Sequence, residues 1–257
     1  MRPITLDELV ARAALLHRVD RKYVLAGADL SAFLDRLGDD TRVLEIDGRR
    51  TFRYRSDYLD TPALTAYLGA AHRRRRRFKI RFRRYEESGA RFIEVKTRGR
   101  RGGTVKERMP HDDAALTPDG LAYVVRTLGA AGIAAAGLSL TPALTSRYRR
   151  TTLFLPGCGA RVTVDEDLCW ELPDGTARRV PDRFVVETKS TGGASEADRV
   201  LWSLGRRPCP ISKYATGLAA LRPGLPANRW RPVLRRLAPV PTADHHHLTV
   251  PLKGSRA

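Results

Sequence analysis

The sequence predicts an α+β fold in which an antiparallel eight-stranded β-barrel carries peripheral helices. The first observation is a series of eight or nine strand-like segments whose mostly short connections favour antiparallel neighbours. The second is a regular alternation of charged and apolar residues: Lys79, Arg81 and Arg83 share one face of a strand whose other face is apolar. Eight strands are about the number needed to close a barrel, and closure removes exposed sheet edges.

Similar charged faces recur along the chain. Each consists of charged or polar residues, mainly cations, at every second position of a strand-like segment. One such face is normal on a solvent-exposed strand, whereas six of them indicate a concave or enclosed polar surface. The other five faces are Glu94, Lys96 and Arg98; Lys106 and Arg108; Arg147 and Arg149; Arg161, Thr163 and Asp165; and Glu187 and Lys189.

Short helices and strands alternate in the first part of the chain. Thr5 and Glu8 form a capping box that opens the first helix. Asp47 and Gly48 are a hairpin signal between two strands, and Pro62 suits the first turn of a helix. The apolar face of the first helix is expected to comprise Leu6, Leu9, Val10, Ala13, Leu16 and His17. The predicted elements are helix 5–17, strand 19–25, helix 29–37, strands 43–46 and 51–59, and helix 62–68.

Strands dominate from residue 72 onward, with glycine-containing turns between them. Three strands end near residues 85, 97 and 109, and turns at 87–89 and 101–103 connect them. A helix over 117–131 precedes an Ala/Gly-rich loop with a short helix. The remaining predicted elements are strands 145–155, 160–172 and 184–190, and helices 195–204 and 212–221.

Residues 1–222 are predicted to form one domain, and residues 223–257 a Pro-rich, partly disordered tail. The tail holds six of the sixteen prolines and shows little hydrophobic periodicity. It also contains His245, His246 and His247, which could bind a metal adventitiously, although no second cluster of ligands lies near them in the sequence.

The composition indicates a polyanionic partner. The formal net charge is +19 and the isoelectric point is about 10.8, which suits nucleic acid, an anionic membrane surface or a phosphate-rich small molecule. Part of the arginine content also fits the codon bias of a GC-rich genome. Three cysteines without metal-type spacing indicate a reduced protein rather than a disulfide scaffold. No signal-peptide core or membrane-spanning run is present, so a soluble, cytoplasmic protein is expected.

An inward-facing set of cations predicts a site for a chain of phosphates. Closely packed cations are costly unless an anion compensates them, and guanidinium groups bind phosphate bidentately. Glu94, Asp165 and Glu187 lie among the cations and could hold Mg²⁺ or Mn²⁺ against the phosphates. Lys213 at a predicted helix N-terminus is well placed for a terminal phosphate. Phosphoryl transfer requires little beyond positioning, charge neutralisation and a metal.

Other interpretations of these residues remain open. Each charged strand face, taken alone, is more often exposed to solvent. The run 73–77 consists of five arginines and is typical of a nucleic-acid contact or a solvated surface, although no recognised nucleic-acid motif surrounds it. The sequence contains no P-loop, kinase signature or Ser-His-Asp spacing, so any handling of nucleotides would use a different framework.

Taken in order, these motifs resemble the VTC domain, the polyphosphate polymerase domain of the vacuolar transporter chaperone type within the triphosphate tunnel metalloenzyme superfamily. The resemblance extends over residues 17–221 and implies an antiparallel barrel whose tunnel binds triphosphate or polyphosphate. The matching pieces are Arg21-Lys22-Tyr23, Tyr58-Leu59-Asp60-Thr61, Lys79-Ile80-Arg81-Phe82-Arg83, Ile93-Glu94-Val95-Lys96, Val105-Lys106-Glu107-Arg108, Arg147-Tyr148-Arg149-Arg150, Val164-Asp165, Val186-Glu187-Thr188-Lys189 and Ser212-Lys213-Tyr214.

The resemblance implies a site of phosphate-binding cations and a metal-binding carboxylate. Glu187 would hold Mn²⁺ or Mg²⁺, with Glu94 as a second candidate that could instead form a structural ion pair. The implied catalytic residues are Arg81, Arg83, Lys213 and Glu187. The phosphate ligands, counting Lys79 from the charged strand face, are Lys22, Lys79, Arg81, Arg83, Lys96, Lys106, Arg147, Arg149, Lys189 and Lys213.

The resemblance also implies an activity. Family members of the polymerase type use ATP and a divalent metal to extend a polyphosphate chain, leaving ADP. The expected partners are therefore ATP and inorganic polyphosphate or triphosphate, with no specific nucleic acid. Hydrolases of the CYTH type often carry Glu-x-Glu-x-Lys near the N-terminus, whereas this chain has Val19-Asp20-Arg21-Lys22, which favours the polymerase branch. A tunnel hydrolase of tripolyphosphate or nucleoside triphosphates and a non-catalytic polyphosphate-binding module are the alternatives.

Overall fold

The fold is built on an antiparallel sheet that curls around one of its own faces. The structure is a computed structural model that describes residues 1–13, 19–99 and 103–238. In these residues the strands are β1 (Arg2–Ile4), β2 (Val19–Ala26), β3 (Arg42–Leu44), β4 (Thr51–Asp60), β5 (Phe78–Tyr85), β6 (Arg91–Arg98), β7 (Thr104–Pro110), β8 (Thr141–Leu155), β9 (Ala160–Glu171), β10 (Ala177–Val180) and β11 (Arg183–Ser190). Eight of them follow the order β2-β11-β9-β8-β4-β5-β6-β7, and every neighbouring pair on this path is antiparallel. The predicted α+β class is confirmed.

A chain segment, rather than a strand pairing, joins the two sides of the curl. In the described residues no hydrogen-bonded pairing links β7 to β2. The edge of β2 is covered where the amide of Cys209 donates to the carbonyl of Lys22 at 2.7 Å. Lys79 of β5 donates to Ser212 Oγ at 2.8 Å. The segment 209–212 therefore lies between β2 and β5, and the barrel is tunnel-like without closure by backbone hydrogen bonds.

Helices pack on both the outside and one end of this sheet. They are α1 (Leu6–Arg12), α2 (Gly27–Asp35), α3 (Thr65–Ala71), α4 (Pro118–Ala130), α5 (Glu196–Ser203), α6 (Lys213–Leu221) and α7 (Arg231–Arg236), with a 3-10 turn at Pro156–Cys158. α2 and α5 share an apolar core with β2, β9 and β11, α4 packs on β6, and α6 packs on β8, β9 and β10. Residues 131–140 form turns instead of the predicted short helix. Among the described helices, none combines the length and apolar composition that a bilayer span requires.

β3 and β4 do not form the predicted hairpin pair. The turn itself is present, since Asp47 and Gly48 have φ of 50° and 72° and one bridge joins Ile46 to Arg49. Beyond that bridge, β3 pairs in parallel with β1 and antiparallel with the far end of β8, whereas β4 lies between β8 and β5. A turn signal specifies a local reversal of the chain; here the length of β8 lets both strands pair along it.

The first helix is shorter and less buried than predicted. α1 begins at the predicted capping box, in which Thr5 Oγ1 accepts from the Glu8 amide at 3.2 Å. Its Leu9 is buried, but Leu6 is 48% exposed and Val10 is 55% exposed, so the predicted apolar face was wrong at these two positions. With fewer than two turns, the helix presents a narrow stripe to the core. The predicted continuation of the apolar face at Leu16 and His17 lies outside the described residues.

Part of the predicted tail packs on the domain. Trp230, Val233 and Leu237 are buried in the same core as α6, and the Tyr67 hydroxyl donates to the Pro226 carbonyl at 3.1 Å. A segment rich in proline can still order itself where it has large apolar side chains to bury. The three histidines lie outside the described residues, and the division of the chain at residue 222 stays a prediction.

A close contact between α6 and β9 leads us to expect that Gly217→Ala destabilises the protein. Alanine ordinarily stabilises a helix interior by up to about 1 kcal/mol relative to glycine. A Cβ at Gly217 would lie 2.5 Å from Cδ1 of the fully buried Trp170. We expect this overpacking to dominate and to lower the free energy of unfolding by about 1 to 3 kcal/mol in urea denaturation. Gly129→Ala in α4, where a Cβ meets nothing within 4 Å, is the matched control. Equal effects of the two substitutions would contradict this expectation.

Candidate functional site

The inner face of the curled sheet, defined as the face that carries Arg81, Asp165 and Glu187, gathers most of the predicted site residues. Lys22 lies opposite Glu187 in the β2–β11 register. Both residues contribute to the pKa of Lys79 on β5, although β11 and β5 are separated by β9, β8 and β4. These charges can interact only because the sheet curls. The predicted residues on this face are Lys22, Lys79, Arg81, Arg83, Glu94, Lys96, Lys106, Glu187 and Lys189, with Lys213 at the start of α6.

Arg81 and Glu94 form a buried ion pair between β5 and β6. Arg81 donates from Nε and Nη2 to Glu94 Oε2 at 2.8 and 2.5 Å, and Lys106 Nζ donates to Oε1 at 3.1 Å. Burial raises the pKa of Glu94, but the charges of Arg81 and Arg83 outweigh it and hold this pKa far below its usual range. Because both oxygens of Glu94 are engaged, its position suits a structural ion pair better than a metal site.

Asp165 is a second carboxylate with both oxygens engaged. Arg150 donates from Nε to Oδ1 at 2.5 Å and from Nη2 to Oδ2 at 2.8 Å, and Lys213 Nζ also donates to Oδ2. Burial raises the pKa of Asp165, but the charges of Arg150 and Lys213 lower it to about 2. Asp165 therefore fixes two cations on the inner face, an arrangement that suits a structural ion pair better than a metal site.

Arg147 and Arg149 lie on the outer face of the sheet, apart from the other predicted phosphate ligands. Arg147 pairs with Glu171. Arg149 pairs with Glu166 at 2.8 Å and with Asp167 at 3.0 Å. Both arginine side chains are about two-fifths exposed and have carboxylate partners there, so neither reaches the inner face.

Arg150 is the arginine of this run that faces inward. The run Arg147-Tyr148-Arg149-Arg150 puts arginine on both faces of β8, so alternation by itself does not identify the inward one. The neighbouring strand does, because Asp165 lies opposite Arg150 in the β8–β9 register. That register shifts beside Tyr148, where Asp167 of β9 adopts a φ of 52°, as in a β-bulge.

Tyr148 is a site residue that the sequence analysis missed. The guanidinium carbons of Arg83 and Arg150 lie 5.7 and 5.3 Å from its ring centre, and Lys213 Nζ lies 4.3 Å from it. Its hydroxyl accepts a hydrogen bond from Arg83, and Tyr54 stacks on it with centres 5.4 Å apart. Since aromatic faces attract cations, Tyr148 holds three candidate phosphate ligands together. Its position two residues before Arg150 on one strand was the available sequence signal.

Glu187, unlike Glu94 and Asp165, is held by loose contacts. Its carboxylate oxygens lie 3.8 Å from Lys22 Nζ and 3.3 Å from Lys189 Nζ. Burial raises the pKa of Glu187, but the charges of Lys189 and Lys22 outweigh it and keep this pKa well below its usual range. Glu187 is therefore an ionised carboxylate on the inner face that can accept a new ligand.

A divalent metal at Glu187 would take most of its ligands from a substrate. In the described parts of the chain no group of three or more His, Cys, Asp and Glu side chains could hold a metal ion. Mg²⁺ is commonly held by one or two carboxylates together with substrate phosphates and water, and Mn²⁺ suits the same oxygen ligands. The loosely held carboxylate of Glu187, beside candidate phosphate ligands, fits this mode of binding. The assignment of the metal to Glu187 stays a prediction.

Lysines on the inner face have lowered pKa values. Burial lowers the pKa of Lys79 to about 7, and the nearby charges of Lys22 and Arg81 add to the effect. Burial likewise lowers the pKa of Lys189 to about 8 and that of Lys96 well below its usual range. A bound anion would raise these pKa values, because opposite charge favours the protonated amine. A bound polyanion would therefore stabilise the charged forms of these lysines.

Buried hydroxyls on the same face lack partners. Ser56 Oγ, Ser146 Oγ and Thr163 Oγ1 are buried, and within the described chain they have no hydrogen-bond partner. Ser56 lies opposite Arg83 in the β4–β5 register, and Thr163 lies opposite Glu187 in the β9–β11 register. Buried hydroxyls in folded proteins are nearly always hydrogen-bonded. These three point to a polar occupant between the cations.

The chain matches one family model and is similar to several solved structures. Residues 17–222 match the family model described as VTC domain. No curated protein matches the chain by sequence. The chain is similar to a solved structure from Hippeastrum, that of a candidate adenylyl cyclase described as revealing a dominant triphosphatase activity. That match has 15% identity, a TM-score of 0.50, and coverage of 81% of this chain and 98% of that one.

Two further solved structures are similar over most of their length. One is a protein from Pyrococcus horikoshii, with 12% identity, a TM-score of 0.42, and coverage of 76% of this chain and 91% of that one. The other is a candidate adenylate cyclase from Vibrio parahaemolyticus, with 13% identity, a TM-score of 0.39, and coverage of 73% and 86%.

Proposed function

Because this chain belongs to the VTC domain family, we propose that it is a metal-dependent polyphosphate polymerase that transfers the γ-phosphate of ATP to a growing polyphosphate chain. The observation that carries the proposal is the inner face. There, cations from β2, β5, β6, β7, β8 and β11 and from α6 line the same face as Glu187, whose carboxylate has only loose contacts. A linear chain of phosphates carries negative charge along its length, which suits rows of Arg and Lys on adjacent strands.

In the proposed reaction, a terminal oxygen of the polyphosphate chain attacks the γ-phosphorus of ATP. A bond forms between that oxygen and the γ-phosphorus. The bond between the γ-phosphorus and the β–γ bridging oxygen breaks, and ADP leaves with the electron pair. The attacking oxygen is already ionised at neutral pH, so no side chain is required as a base. The protein contributes positioning and charge stabilisation.

We assign a role to each site residue in this reaction. Arg81 and Arg83 are assigned to the phosphates at the reacting centre, and Arg150 joins them in place of the two outward-facing arginines. Lys213, anchored by its bond to Asp165, is assigned to the charge that develops on the leaving oxygen. A divalent metal, when bound at Glu187, would neutralise phosphate charge and orient the reacting groups. Each of these groups acts through its charge and its fixed position.

The experiment that tests this function is an incubation of the full chain with ATP and Mn²⁺. Products are resolved on a polyphosphate gel, and ADP and free phosphate are measured in parallel. Long chains together with one ADP per phosphate added would support the polymerase. Free phosphate without chains would replace it with the tunnel hydrolase, an activity akin to that described for the Hippeastrum protein. If neither product forms but tripolyphosphate still raises the melting temperature, the protein is a non-catalytic polyphosphate-binding module.

Tripolyphosphate binding is expected to take up protons near neutral pH. Lys79 has a pKa of about 7 in the free protein, so a fraction of it is neutral there, and bound phosphate would raise this pKa and complete its protonation. By linkage, affinity should fall as the pH rises through about 7, because binding then requires a proton from solution. Calorimetry in two buffers of different ionisation enthalpy measures the number of protons taken up.

A Lys79→Met variant is the control for that measurement. The substitution removes the contribution of Lys79 to the proton uptake and leaves the contribution from titration of the phosphate ligand itself. The variant should take up fewer protons than the wild-type protein. Identical proton uptake by the two proteins would show that Lys79 does not sense the bound phosphate.

A further inference from the structure

We propose that Arg73, Arg77, Arg98 and Arg229 form a second binding site, here called the mouth patch, for the part of a polyphosphate chain that extends beyond the inner face. The proposal rests on the proposed function, since the chain would reach the patch from the inner face. It assigns a ligand to part of the five-arginine run, which the charge pattern alone associated with nucleic acid or solvent.

Arg77 and Arg98 continue the cation rows of the inner face past the end of the sheet. Arg77 immediately precedes β5 and Arg98 is the last residue of β6, and the antiparallel register places these two ends side by side. Strand alternation puts Arg98 on the side of Lys96, and Arg77 extends the row that begins at Lys79. A linear polyanion lying along these rows would leave the inner face at the two arginines.

Arg229 and Arg73 are brought to the same place by the connection between α3 and β5. The Ala70 carbonyl accepts a hydrogen bond from Arg229 Nη1 at 3.1 Å and another from the Arg73 amide at 3.3 Å. Arg229 Nε is buried and, within the described chain, has no hydrogen-bond partner. Arg229 is also one of the cations that lower the pKa of Lys79. Arg229 therefore adds positive charge near Lys79, the residue at which the row extended by Arg77 begins.

Mutual repulsion within the patch indicates that it is suited to an anion. Burial and the charges of Arg98 and Arg229 lower the pKa of Arg77, and burial and the charges of Arg73 and Arg98 lower the pKa of Arg229. In the part of the chain that the structure describes, the charged groups responsible for these two shifts are all cations. Arginines held together in this way are costly unless a polyanion neutralises them.

A bare phosphate chain fits the patch better than a nucleic acid does. Binding of single-stranded nucleic acid generally combines a basic groove with exposed aromatic side chains on which bases stack. Phe78, which follows the arginine run, is 7% exposed and belongs to the apolar core, so it offers no stacking surface. Binding of polyphosphate requires only cations, and the rows of β5 and β6 place such cations in a line from the inner face to the patch.

The test compares two variants of the full chain that lose the same net charge. The patch variant carries Arg73→Gln and Arg98→Gln, two exposed residues of the mouth patch. The control variant carries Arg126→Gln and Arg179→Gln, two exposed residues on α4 and β10. Dissociation constants are measured for tripolyphosphate, for long-chain polyphosphate and for a single-stranded oligonucleotide, each at several salt concentrations.

We expect the patch variant to lose about tenfold in affinity for long-chain polyphosphate, with a shallower salt dependence. Its affinity for tripolyphosphate should equal that of the wild-type protein. The control variant should keep the wild-type affinity for both long-chain polyphosphate and tripolyphosphate. Equal long-chain affinities of the two variants, with tripolyphosphate still bound, would overturn the mouth patch alone. Failure of the wild-type protein to bind tripolyphosphate would instead overturn the proposed function. Tighter binding of the oligonucleotide than of polyphosphate, lost in the patch variant, would make the patch a nucleic-acid site and refute the proposal.

Discussion

Replacing Glu187 with glutamine is expected to lower the rate of ADP formation by about a hundredfold or more while leaving the fold intact. The substitution keeps the shape of the side chain and removes the charge that would hold the metal. Glu187 has only loose contacts with Lys22 and Lys189, so no close hydrogen-bonded partner is stranded by the change. Removing a negative charge from the inner face should also leave metal-free tripolyphosphate binding as tight as in the wild-type protein, or tighter.

The measurement is ADP release over a range of Mn²⁺ concentrations, together with the melting temperature. The matched control is Glu171→Gln, which removes a carboxylate from the outer face, where it pairs with Arg147. We expect the control to retain full activity and the same metal dependence. If Glu187→Gln also retained them, the metal would have to be held elsewhere and Glu187 would lose its proposed role.

Replacing Arg81 with methionine is expected to lower the free energy of unfolding by about 3 to 5 kcal/mol and to weaken tripolyphosphate binding. The stability loss follows from Glu94, whose side chain is 1% exposed and which would be left with Lys106 as its remaining hydrogen-bonded cation. Taking away one partner of a buried ion pair costs more than the pair contributes, because the other charge stays out of water. Urea denaturation and calorimetry give the two quantities.

A double variant separates the two roles of Arg81. Arg81→Met combined with Glu94→Gln removes both charges of the buried pair, and Lys106, whose side chain is 34% exposed, can turn to water. We expect the double variant to recover most of the lost stability but not the lost tripolyphosphate affinity. Recovery of both would mean that Arg81 serves the fold and not the phosphate.

Residue alternation along single strands was predictable from the sequence. The rows of Lys79, Arg81 and Arg83 on β5 and of Glu187 and Lys189 on β11 face inward as expected. A strand has a period of two residues whatever its surroundings, so a stretch with one charged and one apolar face already specifies which side chains lie together. The antiparallel α+β class followed from the same pattern, and the order of the motifs was sufficient to indicate the family.

Partners across the sheet were not predictable in this way. Arg147, Arg149 and Arg150 are alike as residues, and the inward one is identified by Asp165 on the neighbouring strand and by the shifted register between them. The pairing of β3 with β1 and β8 likewise depended on the length of β8 and not on the turn beside β3. Both outcomes are set by residues distant in sequence.

The sequence by itself determined that this chain lines a curled antiparallel sheet with cations and places a few carboxylates among them, because strand periodicity is a local property. Only the tertiary structure decided which of the three candidate carboxylates, Glu94, Asp165 and Glu187, can accept a new ligand. Both oxygens of Glu94 and of Asp165 accept hydrogen bonds from arginines and lysines of other elements, whereas Glu187 lies farther from its two lysines. The physical reason is that the charge a carboxylate can offer a ligand depends on which cations the fold brings within hydrogen-bonding distance, and those cations lie far away along the chain.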